Sequence, residues 1–386
     1  MTPRRIYLDN AATSWPKPPA VLEAMQRYLL ENGAAAGRGV YREAVAAEQL
    51  VQTARQRIAR LINAPAASRI VFTHNCTDAL NLALLGLLRS GDRALTSAVE
   101  HNSVLRPLRH LERERGVQVS FAKCDEHGLL EREDFERQLP QGINAVVLNH
   151  GSNVTGAIQP LAELAPLVKT IGAKLILDAA QTAGLVALDV QQLGIDLLAA
   201  SGHKGLLGPL GTGFLYIAPG LEQKITPLRF GGTGTKSDEE EQPLTMPDRY
   251  EVGNANVPGI AGLSAGVQYL LAQGIEQIAK HEGALIERLA AELATLPGVR
   301  VWGPAAGIPR TPVVSFTVAG YEAHEVAALL DATWNIQVRS GLHCAPRIHR
   351  QLGLLAAGTV RMSVGPFTTE QEIDLALQAL REIISG

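Results

Sequence analysis

Between residues 69 and 217 short apolar runs alternate with helical stretches, and this alternation restricts the chain to few architectures. RIVFTH, RALTSAVEH, VQVSFAKC, AVVLNHG, KLILD and DLLAAS read as strands. DALNLALLGLL, VLRPLRHLERERG and LAELAPLVKTIG read as helices between them. Parallel strands need a crossover, usually a helix, and such sheets are covered on both faces. The pattern therefore predicts an α/β fold with a mainly parallel sheet. GFLYI follows DLLAAS through a glycine loop alone, which predicts one antiparallel pair in an otherwise parallel sheet.

The flanks differ. IYL reads as a short strand, followed by a proline-rich bend and a helix carrying Val21, Met25, Tyr28 and Leu29 at helical spacing. A second helix is expected over residues 43–62. After the alternating block, residues 229–248 form a glycine-rich and then acidic loop, and the run Asp238 to Glu241 reads as a solvated surface. Helix-forming residues 259–296 lead to PVVSFTV, IQVRSG and GTVRMSVG, with helices expected over 324–331 and 370–384. That tail reads as a smaller C-terminal α+β domain. The expected division is a large domain of residues 15–255 and a small one of residues 1–14 with 256–386.

Charge and cysteine usage narrow the function classes. A net charge of -3 gives no basic footprint for nucleic acid. No apolar window reaches the ~18 residues of a membrane span, and no apolar stretch of signal-peptide type follows Arg4 and Arg5. Three cysteines without a CxxC or a His/Cys cluster predict neither a disulfide framework nor a metal site, and fit a reducing, cytoplasmic setting.

The chemistry-bearing residues fall at strand ends. Lys204 follows the apolar strand DLLAAS in SGHKGLLGPLG. A lysine there closes a salt bridge, binds a phosphate, or, with its ammonium form disfavoured in a crevice, attacks a carbonyl as a neutral amine. Asp178 ends KLILD, and ligands of open α/β sheets sit beyond the carboxyl ends of strands. Its carboxylate either caps the next turn or keeps a pyridine nitrogen protonated so that the ring accepts electrons. Gln181, in the same turn, could donate to a ring hydroxyl. Thr77 and Asp78 open a helix whose free amides either are simply capped or hold a phosphate. His101 and Asn153 sit at two further strand ends, where they either stabilise turns or face the same crevice.

LDNAAT, the EH of VEHNS, SNVTG, LILDAAQ, SGHKGLLGP and RSGLHC together resemble the cysteine desulfurases, pyridoxal-phosphate (PLP) enzymes of the class V aminotransferase family with the fold type I architecture. The resemblance runs from about Tyr7 to the last helix. It implies that Lys204 carries PLP, Asp178 pairs with the pyridine nitrogen, His101 stacks on the ring and Gln181 contacts its phenolic oxygen. Thr77, Ser201 and His203 would hold the phosphate with the Cys76–Thr77 backbone, and Asn153 would lie near the substrate carboxylate.

Within that resemblance Cys344 decides the reaction. It stands in a glycine- and proline-flanked loop beside His343, where a thiol is exposed and able to ionise. Arg361 would clamp a substrate carboxylate bidentately, and Arg339 either assists it or pairs with an acid. The short spacing from Cys344 to Arg361 is similar to the group II enzymes. The expected activity converts L-cysteine to L-alanine and leaves a persulfide on Cys344 for a sulfur-acceptor protein, with iron–sulfur cluster assembly one destination. A homodimer is implied. The chain departs from the family at Asn254, where a threonine commonly reaches the partner's phosphate, and at Leu342, where group II members often have histidine. Selenocysteine lyase, cysteine or cystine C–S lyase, and a non-catalytic PLP-binding scaffold are the alternative readings.

Overall fold

A computed structural model of the protein describes residues 5–37, 39–139, 142–235 and 238–385. Strand β1 (Ile6–Tyr7) and helices α1 (Pro19–Arg27) and α2 (Arg42–Leu61) come first. Then β2 (Ile70–Thr73), α3 (Cys76–Leu87), β3 (Arg93–Ser97), α4 (Asn102–Arg115), β4 (Gln118–Ala122), α5 (Arg132–Gln138), β5 (Ala145–Asn149), α6 (Leu161–Thr170) and β6 (Lys174–Asp178) alternate. They are followed by β7 (Leu197–Ser201) and β8 (Gly213–Ile217). Helices α7 (Val257–Gln273) and α8 (Ile275–Ala294) lead to β9 (Val299–Trp302), β10 (Val313–Val318) and α9 (Ala323–Trp334). The chain finishes with β11 (Ile336–Gln337), β12 (Arg339–Gly341), α10 (Pro346–Gln351), β13 (Thr359–Ser363) and α11 (Glu370–Ser385).

The larger sheet has seven strands in the order β2-β8-β7-β6-β5-β3-β4. Strand β8 runs antiparallel to both β2 and β7, and the other pairs are parallel. This is the expected mixed sheet, with β8 reversed because only a loop joins it to β7. Successive residues of the central strands point to opposite faces. Leu148, Leu177 and Leu198 pack with Phe135 and Leu164 on one side. Val147, Ile176 and Leu197 pack with Leu80, Leu84 and Leu108 on the other. Each such buried side chain contributes roughly 1.5–3 kcal/mol relative to an exposed one.

The smaller sheet is antiparallel, in the order β12-β13-β10-β9. The N-terminal segment belongs to this part of the molecule through space: β1 pairs with β11, and Asp9 bridges to Ser363. The long helix-forming region is two helices, divided at Gly274 with its φ of 83°. Helix α7 packs Val257, Ile260 and Ala261 against Tyr28 of the turn after α1 and Ala47, Val51 and Ala54 of α2. Helix α2 also buries Arg55, whose guanidinium meets Glu251 bidentately at 2.7 and 2.9 Å. Glu251 Oε1 in addition accepts the Phe72 amide at 2.6 Å, tying the loop before α7 to the edge strand β2. The acidic run from Asp238 to Glu241 is exposed, as its composition predicts.

Candidate active site

The carboxyl ends of β5, β6 and β7 deliver Asn149, Asp178 and Ser201 to one cavity of about 240 Å³. Its walls also include Cys76, Thr77, His101, Asn153, Gln181, His203 and Lys204. The sheet order explains the convergence: β6 and β7 are parallel neighbours, so their ends open on the same side.

Asp178 is buried and directed. Its Oδ1 accepts the Ala180 amide at 2.9 Å and the Cys76 thiol at 3.4 Å. Among the described residues no hydrogen bond reaches Oδ2, the oxygen left for a ligand. Burial, reinforced by Asp178, pushes the Cys76 thiol well above its ordinary range, so this cysteine stays protonated. Burial lowers the pKa of Lys204; Arg361 and Arg339 act in the same direction, while Asp178 and Cys76 oppose it. The amine therefore reaches its neutral form more readily than a surface lysine.

The turn after Lys204 is tight rather than loose. A Cβ on Gly205 would lie 2.6 Å from the Ala183 carbonyl oxygen, and one on Gly208 2.9 Å from that of Gly202. The glycines serve close backbone packing, which fixes the position of the lysine. The N-terminal segment holds the same turn: Ser14 Oγ donates to the Lys204 carbonyl at 3.0 Å, and Lys17 Nζ to the His203 carbonyl at 2.7 Å. These contacts had no sequence signal beyond the LDNAATS run itself.

Helix α3 starts at Cys76 with Asn75 as its cap, whose side chain accepts the Asp78 amide at 2.9 Å. Capping thus falls to Asn75, which leaves Thr77 free to line the cavity. The Cys76 amide donates to Ser201 Oγ at 3.2 Å. His101 caps α4: its Nδ1 accepts the Ser103 amide at 3.0 Å, so a neutral ring carries its proton on Nε2. Burial lowers its pKa to about 4, leaving the ring uncharged near neutrality. Gln181 spends one amide N–H on the Ala11 carbonyl at 3.0 Å. Glu100, part of the VEHNS motif but given no role from the sequence, lies fully buried; its Oε1 accepts the Ser97 hydroxyl and the Asn149 amide, and burial raises its pKa to about 8.

Cys344 is exposed, in contrast to Cys76 and Cys124. His343 and Cys344 have φ of 48° and 57°, two consecutive non-glycine residues in the left-handed region. Such backbone persists only where surrounding contacts over-determine it. Here Asn153 Nδ2 donates to the His343 carbonyl at 2.7 Å, and the Asn102 amide to the Cys344 carbonyl at 2.8 Å. His343 corrects one expectation. It is buried, its Nε2 meets Thr359 Oγ1 at 2.9 Å, and burial drives its pKa down to about 2. The imidazole is a neutral support of the loop and supplies no positive charge to the neighbouring thiol.

Arg361 is buried on β13, with Nη1 on the Asn153 carbonyl at 3.1 Å and Nη2 on Asp9 Oδ1 at 2.8 Å. Arg339 also pairs with Asp9, at 3.1 Å. Asn254 is exposed and borders a separate depression with Arg55, Phe72 and Glu251, away from the Lys204 cavity of its own chain.

A cofactor of the PLP kind fits this set of polar groups. Among the described residues the buried atoms Asn149 Oδ1, Asn153 Oδ1 and His203 Nδ1 have no hydrogen-bond partner, and all three residues line the cavity. A buried carboxylate, an amine nucleophile and the amino end of a twelve-residue helix stand on its walls.

Comparison with known proteins places this geometry. The model of the family "Aminotransferase class-V" matches residues 6–376. A probable cysteine desulfurase from Methanothermobacter thermautotrophicus is 37% identical over 383 residues, covering 98% of this chain and 94% of the relative. A cysteine desulfurase from Dickeya dadantii is 33% identical over 384 residues, covering 98% and 91%. Among solved structures, the apo cysteine desulfurase of Thermococcus onnurineus superposes with a TM-score of 0.93 at 36% identity, over 99% of this chain and 95% of the other. The cysteine desulfurase CsdA of Escherichia coli gives 0.89 at 30% identity, over 98% and 94%.

Proposed function

Because the chain belongs to the class-V aminotransferase family and is a cysteine desulfurase, we propose that it uses PLP in the Lys204 cavity to move the sulfur of L-cysteine onto Cys344. In this reading Asp178, His101, Gln181 and Asn153 would hold the ring, with Asp178 keeping its nitrogen protonated. Thr77, Ser201, His203 and the amide groups at the start of α3 would hold the phosphate. When bound, PLP supplies an electron sink conjugated to the substrate α-carbon.

The chain's own groups do the remaining work. Arg361 binds the substrate carboxylate, and Lys204 Nζ, biased toward the neutral amine, takes the α-proton and returns it during alanine formation. Cys344 Sγ, as thiolate, attacks the substrate sulfur; an S–S bond forms and the C–S bond breaks. The balance is L-cysteine plus the Cys344 thiol giving L-alanine plus the Cys344 persulfide. His101, uncharged, adds no second cation beside Lys204.

The observation that carries this reading is the exposed Cys344 on a strained loop bound through Asn153 to the Lys204–Asp178 cavity. Exposure of Cys344 also supports onward transfer of the sulfur to an acceptor protein. Strongly exposed Leu30, Val40 and Phe230 support a homodimer, in which Asn254 would face the second copy. Residues 15–255 form the large unit in this reading, and residues 1–14 with 256–386 the small one. Among the described residues no helix is long and apolar enough to cross a membrane. The test is turnover of L-cysteine under reductant. Equimolar alanine and sulfide support the reading; pyruvate and ammonia would replace it with a C–S lyase.

A further inference from the structure

Strands β12 and β13 place Arg339 directly opposite Arg361 in the sheet register. Like charges so paired repel, and here one of them is 2% exposed. The pair is held together by one carboxylate from the far end of the chain. Asp9 divides its two oxygens, Oδ1 to Arg361 Nη2 at 2.8 Å and Oδ2 to Arg339 Nε at 3.1 Å.

Asp9 is itself fixed by backbone. The Ser363 amide donates to the Leu8 carbonyl at 2.8 Å, and the Asn10 amide to the Ser363 carbonyl at 3.3 Å. Asn10 Nδ2 adds a second bond to that carbonyl at 3.1 Å. Ser363 is two residues beyond Arg361 on the same strand and therefore on the same face. Asp9 and Arg361 are thus carried by one rigid backbone unit.

The donors of Arg361 are divided accordingly. One N–H is on Asp9 and one on the Asn153 carbonyl. Nε is buried and has no hydrogen-bond partner among the described residues. A guanidinium has five N–H donors in a fixed fork, so the two fixed bonds set its plane and leave the others for a carboxylate.

We propose that Asp9 is the positioning residue of the substrate-carboxylate seat: it neutralises the opposed arginines and aims the remaining donors of Arg361 at the substrate. The inference rests on the proposed role of Arg361. Asp9 touches neither cofactor nor reacting atoms, so its loss weakens carboxylate binding more than chemistry.

The experiment compares wild type, Asp9→Ala, Asp9→Asn and Arg361→Lys as PLP-loaded proteins. It reads KM and kcat for L-cysteine, the affinity for the product L-alanine, which has no sulfur to transfer, and the melting temperature. Asp9→Ala is expected to raise KM and weaken L-alanine binding by about tenfold, with kcat within about threefold of wild type. Asp9→Asn, which keeps an oxygen toward Arg361 Nη2, should fall between. A purely structural role would lower the melting temperature and the active fraction without changing either affinity. If both affinities hold in the Asp9 variants while Arg361→Lys weakens them, the role of Asp9 is overturned and the seat stands. If Arg361→Lys leaves both unchanged, the seat is misplaced and the inference goes with it. Should Asp9→Ala not fold, unaltered L-alanine binding in Asp9→Asn is enough to overturn the proposal.

Discussion

Asn153 Nδ2 lies 2.7 Å from the carbonyl oxygen of His343, so the wall of the Lys204 cavity and the loop presenting Cys344 share one hydrogen bond. The loop carries two left-handed residues and depends on such bonds to keep its shape. Asn153→Ala removes the tether, and misplacement of a reacting group by about 1 Å costs on the order of 100-fold in rate. Persulfide formation is expected to slow by about 10- to 100-fold, measured as the single-turnover appearance of alanine. An unchanged burst would show that the loop holds its place without Asn153.

Lys204 and Cys344 should separate in their variants. Lys204→Ala is expected to lose turnover and the visible absorbance of lysine-bound cofactor. Cys344→Ser should retain that absorbance and bind L-cysteine while forming no persulfide, read by alkylation and mass spectrometry. Desulfuration at the wild-type rate in Cys344→Ser would rule out the persulfide route.

The Arg55–Glu251 pair predicts a stability effect remote from the chemistry. Arg55 is 2% exposed, and Glu251 is its only acidic partner among the described residues. Glu251→Ala leaves a buried guanidinium uncompensated and frees the Phe72 amide. A loss of about 3 kcal/mol is expected, the lower end for breaking a buried pair because Glu251 is partly exposed. Urea unfolding measures it; a change within about 0.5 kcal/mol, as at an ordinary surface site, would contradict the assignment.

Glu282 predicts a pH-dependent effect. It is 2% exposed, its Oε2 has no hydrogen-bond partner, and burial raises its pKa to about 8. Below pH ~4.5 the carboxyl is protonated in both folded and unfolded chains and contributes no pH dependence. Between ~4.5 and ~8 the unfolded chain releases the proton and the folded one keeps it, so stability falls as pH rises. Glu282→Gln removes this loss. Its stability relative to wild type should therefore increase from pH 5 to pH 8, by about 1 kcal/mol between pH 5 and pH 6 alone. A pH-independent difference in unfolding free energy would refute the buried, protonated carboxyl.

Much of the architecture was legible in periodicity. Apolar strands alternating with helices implied the covered parallel sheet, and the missing crossover before GFLYI implied the reversed β8. Asp178 and Lys204 could be placed on one rim because the first ends, and the second lies just beyond, a strand that must be buried. The exposure of Cys344 followed from its glycine- and proline-flanked loop. The helix-forming region 259–296 is divided into two helices at Gly274, a break that its continuous apolar spacing does not signal.

What the sequence determined by itself is therefore the alternating elements of the large sheet and the rim on which the reactive groups stand, since these depend on local period and strand order, while the kind of chemistry came from the resemblance of its motifs to a family. What only the tertiary structure decided is which charges meet. Asp9 reaches Arg361 across 352 residues and Glu251 reaches Arg55 across 196, while His343 is neutral because burial outweighs its place beside a thiol. Pairing and desolvation are properties of neighbours in space, and the closure of the small sheet onto the N-terminal strand creates neighbours that no local pattern encodes.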